Sequence, residues 1–184
     1  MNLAGAKQPK SNRLKFSLVV AADEKNGIGV NGDLPWHLPG DMKFFRELTI
    51  GDGDNVVIMG RKTWQYIPDR FRPLSKRTNI VLSRGPLELP AEVLLASSLE
   101  TALKIAESLP SPTANDVFII GGGQVYSEAL LHPDCQCIYL TRVKASFACH
   151  AFLPDLTLSW KIMNASEPQE ENGLAYQFLT LEPK

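Results

Sequence analysis

Asp41 and Phe45 stand four residues apart in the stretch Asn26–Thr49, which reads NGIGVNGDLPWHLPGDMKFFRELT. On a helix, i, i+4 and i+7 neighbours share a face, so Asp41, Phe45 and Leu48 would line up together. A single carboxylate beside an aromatic ring is a way to hold a flat, cationic or amidine-like heterocycle. Phe45, Leu34, Trp36 and Ile67 could wall such a site. Inside an apolar wall a carboxylate binds its proton more tightly, unless a bound cationic ring keeps it ionised. The plainer alternative is a solvated first-turn acid that complements the helix dipole. A small-molecule enzyme is the leading reading of the first fifty residues.

Three further groups could bind anions. Ile120-Gly121-Gly122-Gly123 leaves a buried strand pattern and enters a helix. Glycines let a ligand approach the backbone, and a helix N-terminus offers N–H donors, so the run suits phosphate. It is not G-x-G-x-x-G, and alone it reads equally as an ordinary strand-to-helix turn. Gly60-Arg61-Lys62-Thr63-Trp64 repeats the strand–glycine–helix order with two cations and a hydroxyl. Ser83-Arg84 ends the next strand with a third cation. Arg61, Lys62 and Arg84 together suit an anion such as a ribose 2′-phosphate, or else are solvated surface charges. Arg72-Pro73-Leu74 and Arg77 lie in a loop where an arginine could clamp a carboxylate bidentately or simply face water. Cys135-x-Cys137 with Cys149-His150 lacks the spacing of a structural zinc site, and we expect no metal. His37 and His132 read as loop residues, Trp64 and Trp160 as core or interface. No Ser-His-Asp or Cys-His nucleophile set is evident.

These residues sit at the joints of a regular pattern. Lys15–Ala22, Asn55–Met59, Thr78–Leu82, Glu92–Ala96 and Asp116–Ile120 read as strands, most of them continuous apolar runs. Between them, Pro39 opens one helix and Gly60 begins another. A third runs from the capping-box spacing Ser97–Glu100 to about Leu109, and a fourth covers Gln124–Leu131. Asp23–Leu38 is a glycine-punctuated loop, expected to be mobile, and Pro110–Asn115 is a turn-rich loop. Gln136–Val143 adds a strand. Leu158–Asn164 and Leu174–Leu181 close the chain as two strands joined by an acidic hairpin. Strands alternate with helices and then follow one another. The expected fold is therefore α/β: three layers, with a central mixed, mostly parallel sheet, an antiparallel C-terminal edge and helices on both faces.

The chain has 184 residues, a net charge of −1 and three cysteines. The length suits one domain, and the charge offers no basic field for nucleic acid and no polybasic membrane segment. No run approaches the roughly 18 apolar residues of a membrane helix. An odd cysteine count without a disulfide framework points to a reducing, cytoplasmic home. Residues 1–14 read as a disordered leader and residues 15–184 as one domain.

Taken in order, VVAADEKNGIGVNGDLPWHLPGDMKFF, VVIMGRKTW, RPLSKRTNIVLSR, FIIGGGQVY and YLTRV resemble the dihydrofolate reductase family, from about Lys15 to Leu181. The resemblance implies an eight-stranded sheet and hydride transfer from NADPH to dihydrofolate, giving tetrahydrofolate for one-carbon metabolism. It places Asp41 as the active-site carboxylate, pairing with the 2-amino group and ring nitrogen of the pterin. Phe45, Met42, Ile67 and Leu74 would line the pterin and benzoyl slot. Leu34 would separate the substrate ring from the nicotinamide, and Val19, Val20 and Ile120 would face the pterin, with Tyr126 beside them. Trp36 and Thr141 would hold water around Asp41, and Arg77 would grip the α-carboxylate of the glutamyl tail.

For the cofactor, the resemblance implies Ala21, Ile28, Gly29, Gly32, Asp33, Gly121, Gly122, Gly123, Gln124, Val125 and Tyr126 around the nicotinamide and pyrophosphate. Gly60, Arg61, Lys62, Thr63, Leu82, Ser83 and Arg84 would hold the other phosphates and the adenosine. The three cations imply NADPH over NADH, and the family's Gly-Gly peptide, here Gly121-Gly122, is expected to be cis. Antifolates would bind, and the protein would act as a monomer with no fused thymidylate synthase domain. Two departures stand out: His150 replaces an acid that in some relatives bonds the glycine loop, and Gln124 replaces a basic residue near the cofactor. The competing readings are a reductase of a ribosylated pyrimidine on the same fold and a catalytically silent nucleotide-binding module.

Overall fold

The computed structural model describes residues 13–110 and 116–184. The expected leader therefore lies outside the described residues apart from Arg13 and Leu14, and the loop Pro110–Asn115 is described only at Pro110.

The first half alternates strand and helix. In order come β1 (Phe16–Ala22), β2 (Gly27–Gly29), α1 (Pro39–Ile50), β3 (Asn55–Gly60), α2 (Arg61–Tyr66), β4 (Arg77–Leu82), β5 (Leu94–Ala96) and α3 (Leu99–Ser108). Then follow β6 (Val117–Ile119), α4 (Gly123–Leu130), β7 (Cys135–Val143), β8 (Ala151–Phe152), β9 (Trp160–Ala165), β10 (Gln169–Glu171) and β11 (Leu174–Pro183). The main sheet runs β10-β11-β7-β1-β6-β3-β4-β5, and β9 pairs with the far part of β11 beyond β10. From β7 to β5 every pairing is parallel, while β11 runs antiparallel to β7, β9 and β10.

Alternation along each strand divides the core into two layers. Leu18, Val20, Ile58, Ile80 and Ile119 point to one face, where α3 and α4 cover them with Ala102, Leu103, Val125 and Ala129. Val19, Val57, Met59 and Val81 point to the other, against Trp64 of α2 and Phe45 and Leu48 of α1. Successive Cβ atoms on a strand face opposite ways, so a stretch buried on both sides must be apolar, as Leu18–Ala22 of β1, Val56–Met59 of β3 and Ile80–Leu82 of β4 are.

Three local expectations change. The helix cap of α3 is Ser98, not Ser97: the Ser98 hydroxyl accepts from the Thr101 amide at 3.1 Å, so the serine that reaches the third amide wins. The loop Asp23–Leu38 contains β2, which pairs with β8 in a two-stranded ribbon. The acidic connection before β11 contains β10. It reverses at Asn172-Gly173, both at positive φ (50° and 72°), the mirror-image turn that matches hairpin twist.

Candidate active site

The connection leaving β1 crosses to β3 on one side, and the connection leaving β6 crosses to β7 on the other. In an open α/β sheet, a crevice opens beyond the carboxyl ends of neighbouring strands whose connections diverge. A cavity of about 610 Å³ lies there, lined by the ends of β1 and β6, the first turns of α1 and α4, α2, and the ribbon β2–β8.

Asp41 enters this cavity from the first turn of α1 and is 7% exposed. The Thr141 hydroxyl, on β7, donates to Asp41 Oδ1 at 2.7 Å. Burial pushes the Asp41 carboxyl above its ordinary range, the Thr141 hydroxyl opposes that rise, and the charge of Glu171 adds to it. Phe45, Met42, Leu34 and Ile67 form the apolar wall, with Val19, Val20 and Ile120 opposite. Tyr126 is buried and donates to the Val19 carbonyl at 2.7 Å, which fixes β1 against α4; burial, with Asp41 nearby, pushes its phenol far upward. Trp36 stands outside the cavity lining, packed on Phe147, and its buried indole N–H meets no acceptor among the described residues.

Beside the carboxylate lies the glycine run. The Gly121–Gly122 peptide is cis. Gly121 has φ +124°, and a Cβ there would sit 3.3 Å from the Tyr126 hydroxyl and 3.4 Å from Thr63 Oγ1. The Gly121 carbonyl accepts from the Gly60 amide at 2.8 Å, so the two strand–glycine–helix joints are tied to each other. Gly60 pairs with Leu82 in the β3–β4 register. Arg61 and Lys62, which follow one, therefore emerge beside Ser83 and Arg84, which follow the other, and all three cations are exposed. A bare backbone with a hydroxyl at hand, flanked by three cations, fits the pyrophosphate and extra phosphate of a dinucleotide. Lys62, Thr63, Gly121, Gly122 and Gly123 line the cavity itself, whereas Gly60, Arg61, Leu82, Ser83, Arg84, Gln124 and Val125 stand beyond it.

Leu74 and Arg77 also lie outside the cavity lining, at its far end. Leu74 packs, like Phe45 and Ile67, against the core layer of Val57, Met59 and Trp64. Arg77 donates from Nη1 to Thr49 Oγ1 at 2.8 Å and from Nε to the Ser75 carbonyl at 2.9 Å. Its guanidinium sits 6.0 Å from the Phe45 ring centre. Burial and the nearby Arg46 lower its proton affinity. Buried Asn79 ties this loop down: it accepts from the Leu74 amide and donates to the Leu74 and Arg77 carbonyls, each at 2.9 Å. Arg72-Pro73 within the loop is cis.

Three lining residues escaped the sequence reading: Asn31, Tyr66 and Ala151. His150, the residue read as replacing an acid of some relatives beside the glycine loop, lines the cavity too, and its ring nitrogen lies 3.2 Å from Asn31 Oδ1. Gly32, at φ +85°, lies so close under the Tyr66 ring that a Cβ would fall 1.7 Å from it. Asp23 was also unmarked. It is fully buried at the end of β1 and accepts from the amides of Lys25, Gly27 and Phe147 and from the Cys149 thiol. Burial pushes its carboxyl up, but those four donors outweigh it and hold it below the ordinary range.

The dihydrofolate reductase family model matches residues 15–183. The chain belongs to the dihydrofolate reductase family. A dihydrofolate reductase of the mosquito Aedes albopictus is 41% identical over 176 residues, covering 89% of this chain and 95% of the relative. One of Drosophila melanogaster is 40% identical over 180 residues, covering 92% and 98%. A bifunctional dihydrofolate reductase-thymidylate synthase of Arabidopsis thaliana is 40% identical over 188 residues, covering 97% of this chain. The chain spans about a third of the length of such bifunctional plant relatives, 33% in that case. The family's expected architecture is met: an α/β core with an eight-strand path, mostly parallel, closed by an antiparallel C-terminal edge.

Proposed function

We propose that this chain reduces 7,8-dihydrofolate to 5,6,7,8-tetrahydrofolate with NADPH, the reaction in the name of its insect relatives, and so feeds one-carbon metabolism. The observation that carries this reading is Asp41, the one buried carboxylate among the described residues that line the cavity, set between an apolar ring wall and a glycine cradle. NADPH, when bound, supplies the hydride. Gly121, Gly122, Gly123 and Thr63 would hold its pyrophosphate, and Arg61, Lys62 and Arg84 its further phosphate.

Asp41 accepts from the 2-amino group and ring N–H of the pterin and thereby fixes the ring face. Phe45, Ile67 and Leu34 hold the ring flat, and Arg77 pairs with the glutamyl carboxylate. Thr141 keeps Asp41 in position, and the unpartnered Trp36 N–H supports a water held beside it. Asp41 acts by orientation and charge, and water delivers the proton to N5. The ribbon β2–β8 and the Gly32–Tyr66 contact exclude solvent from the reacting ring. Residues 15–184 work as one monomeric, cytoplasmic reductase domain; no described helix is long and apolar enough to cross a membrane. A diaminopyrimidine antifolate would place its amidinium on Asp41.

The test is the loss of NADPH absorbance on adding dihydrofolate, with and without methotrexate. Rapid oxidation that methotrexate stops is the expected result. Bound NADPH with no oxidation would move the substrate to another pterin or a ribosylated pyrimidine.

A further inference from the structure

Helix α1 starts without a cap of its own. Leu38 stands at the N-cap and offers no side-chain acceptor, and Pro39 has no N–H to satisfy. The Gly40 amide donates instead to Glu171, at 2.8 Å to Oε2 and 3.2 Å to Oε1. Glu171 ends β10, 131 positions further along the chain. Its neighbour Asn172 donates from the side-chain amide to the His37 carbonyl at 2.9 Å. The tip of one hairpin thus grips both sides of the turn that presents Asp41.

The contact is closely fitted. A Cβ on Gly40 would lie 2.3 Å from the Tyr176 hydroxyl and 2.9 Å from Glu171 Oε1. Only glycine leaves the carboxylate room to reach the amide. Tyr176 is buried and donates to Gln169 at 3.1 Å, which binds the same hairpin into the sheet.

We propose that Glu171 is a positioning residue for Asp41: it caps the amide just before Asp41 from across the fold, and it sets a second negative charge beside that carboxylate. The cap fixes where Asp41 points. The charge makes Asp41 hold its proton more tightly. Thr141 of β7, Tyr126 of α4 and Tyr176 of β11 also face Asp41, and all three are neutral at physiological pH, so Glu171 supplies the charge. Burial is the larger cause of Asp41's raised proton affinity and Glu171 the smaller. The proposal rests on Asp41 as the pterin-binding carboxylate.

The test reads Asp41 directly, by carbon-13 NMR titration of its carboxyl in the full-length chain. Glu171→Gln keeps an oxygen for the Gly40 amide and removes the charge. Its Asp41 should lose proton affinity by about threefold or more, with melting temperature and dihydrofolate KM near wild type. Glu171→Ala removes cap and charge together. It should show the same titration shift, a lower melting temperature and a dihydrofolate KM raised about fivefold or more. An Asp41 midpoint that Glu171→Gln leaves unchanged, or a KM that Glu171→Ala leaves unchanged, overturns the proposal. If Glu171→Ala does not fold, Asn172→Gly, which removes the His37 tether at a positive φ that glycine adopts freely, carries the KM arm. Failure of the wild-type chain to turn over dihydrofolate would overturn the reading of the reaction while leaving the titration readable.

Discussion

Asp41 is placed against its own electrostatics. Its carboxyl is buried and raised, so the fold favours the protonated form. Such a group contributes stability below its unfolded value, and that contribution is lost as pH rises through the folded value. At neutral pH the ionised Asp41 therefore costs stability. Asp41→Asn should raise the melting temperature at pH 7 and not at pH 4, while hydride transfer falls about 10²-fold or more and NADPH still binds. Melts at the two pH values, with single-turnover rates, check both halves; unchanged turnover would remove Asp41 from its role. Arg77 behaves differently, because Thr49 and Ser75 already hold two of its donors. Its loss should therefore be felt in binding. Arg77→Ala should raise the dihydrofolate KM about 10–100-fold, the scale of a charge-assisted pair, with a smaller effect on kcat. An equal fall in kcat would show that Arg77 acts in the transition state instead.

The ribbon β2–β8 depends on Asp23 more than on its own pairing. Four donors converge on that carboxylate, and Gly27 of β2 lies so close to Cys149 that a Cβ would meet the thiol sulfur at 2.5 Å. Asp23 has a lowered folded value, so it contributes stability above its unfolded value, and that contribution is lost as pH falls through the folded one. Asp23→Asn should lower the melting temperature on the order of 5–10 °C at pH 7. The gap to wild type should close as pH drops below the ordinary carboxylate range. A gap independent of pH would mean that shape, not charge, holds the ribbon. Nothing local marked this residue, since an aspartate after a strand followed by Glu24 and Lys25 reads as a turn. What was legible is what is local. Apolar runs gave β1, β3 and β4; strand–glycine–helix joints gave the cradle; and the spacing Asp41–Phe45 gave the site's axis. What escaped joins distant segments: Glu171 to Gly40, Asp23 to Phe147, Tyr66 over Gly32. A one-dimensional pattern fixes which face a residue takes but not which other face it meets. Ser98 in place of Ser97 is the same lesson in miniature, because the cap depends on where the helix begins.

The molecule as a whole is nearly neutral, with a net charge of −1, so long-range steering of an anionic cofactor is weak. Its cations matter because the sheet gathers them. The β3–β4 register brings Arg61 and Lys62 beside Arg84 at the same end as the glycine cradle. All three are exposed, and exposed charges are screened within about 10 Å at 0.1 M salt and about 3 Å at 1 M. NADPH differs from NADH by one phosphate, and that phosphate would answer to these side chains. Raising salt from about 0.05 to 0.5 M should contract the ratio of NADPH to NADH affinity about tenfold, as expected of a few exposed ion pairs. Dihydrofolate affinity should change less, because Asp41 is buried and Arg77 is half-buried. Arg84→Ala should contract the same ratio already at low salt. Calorimetric titration of both cofactors into wild type and Arg84→Ala, at both salt levels, measures all of these at once. A ratio that salt leaves constant would place the discrimination in fixed hydrogen bonds from Thr63 and Ser83 rather than in the charge cluster.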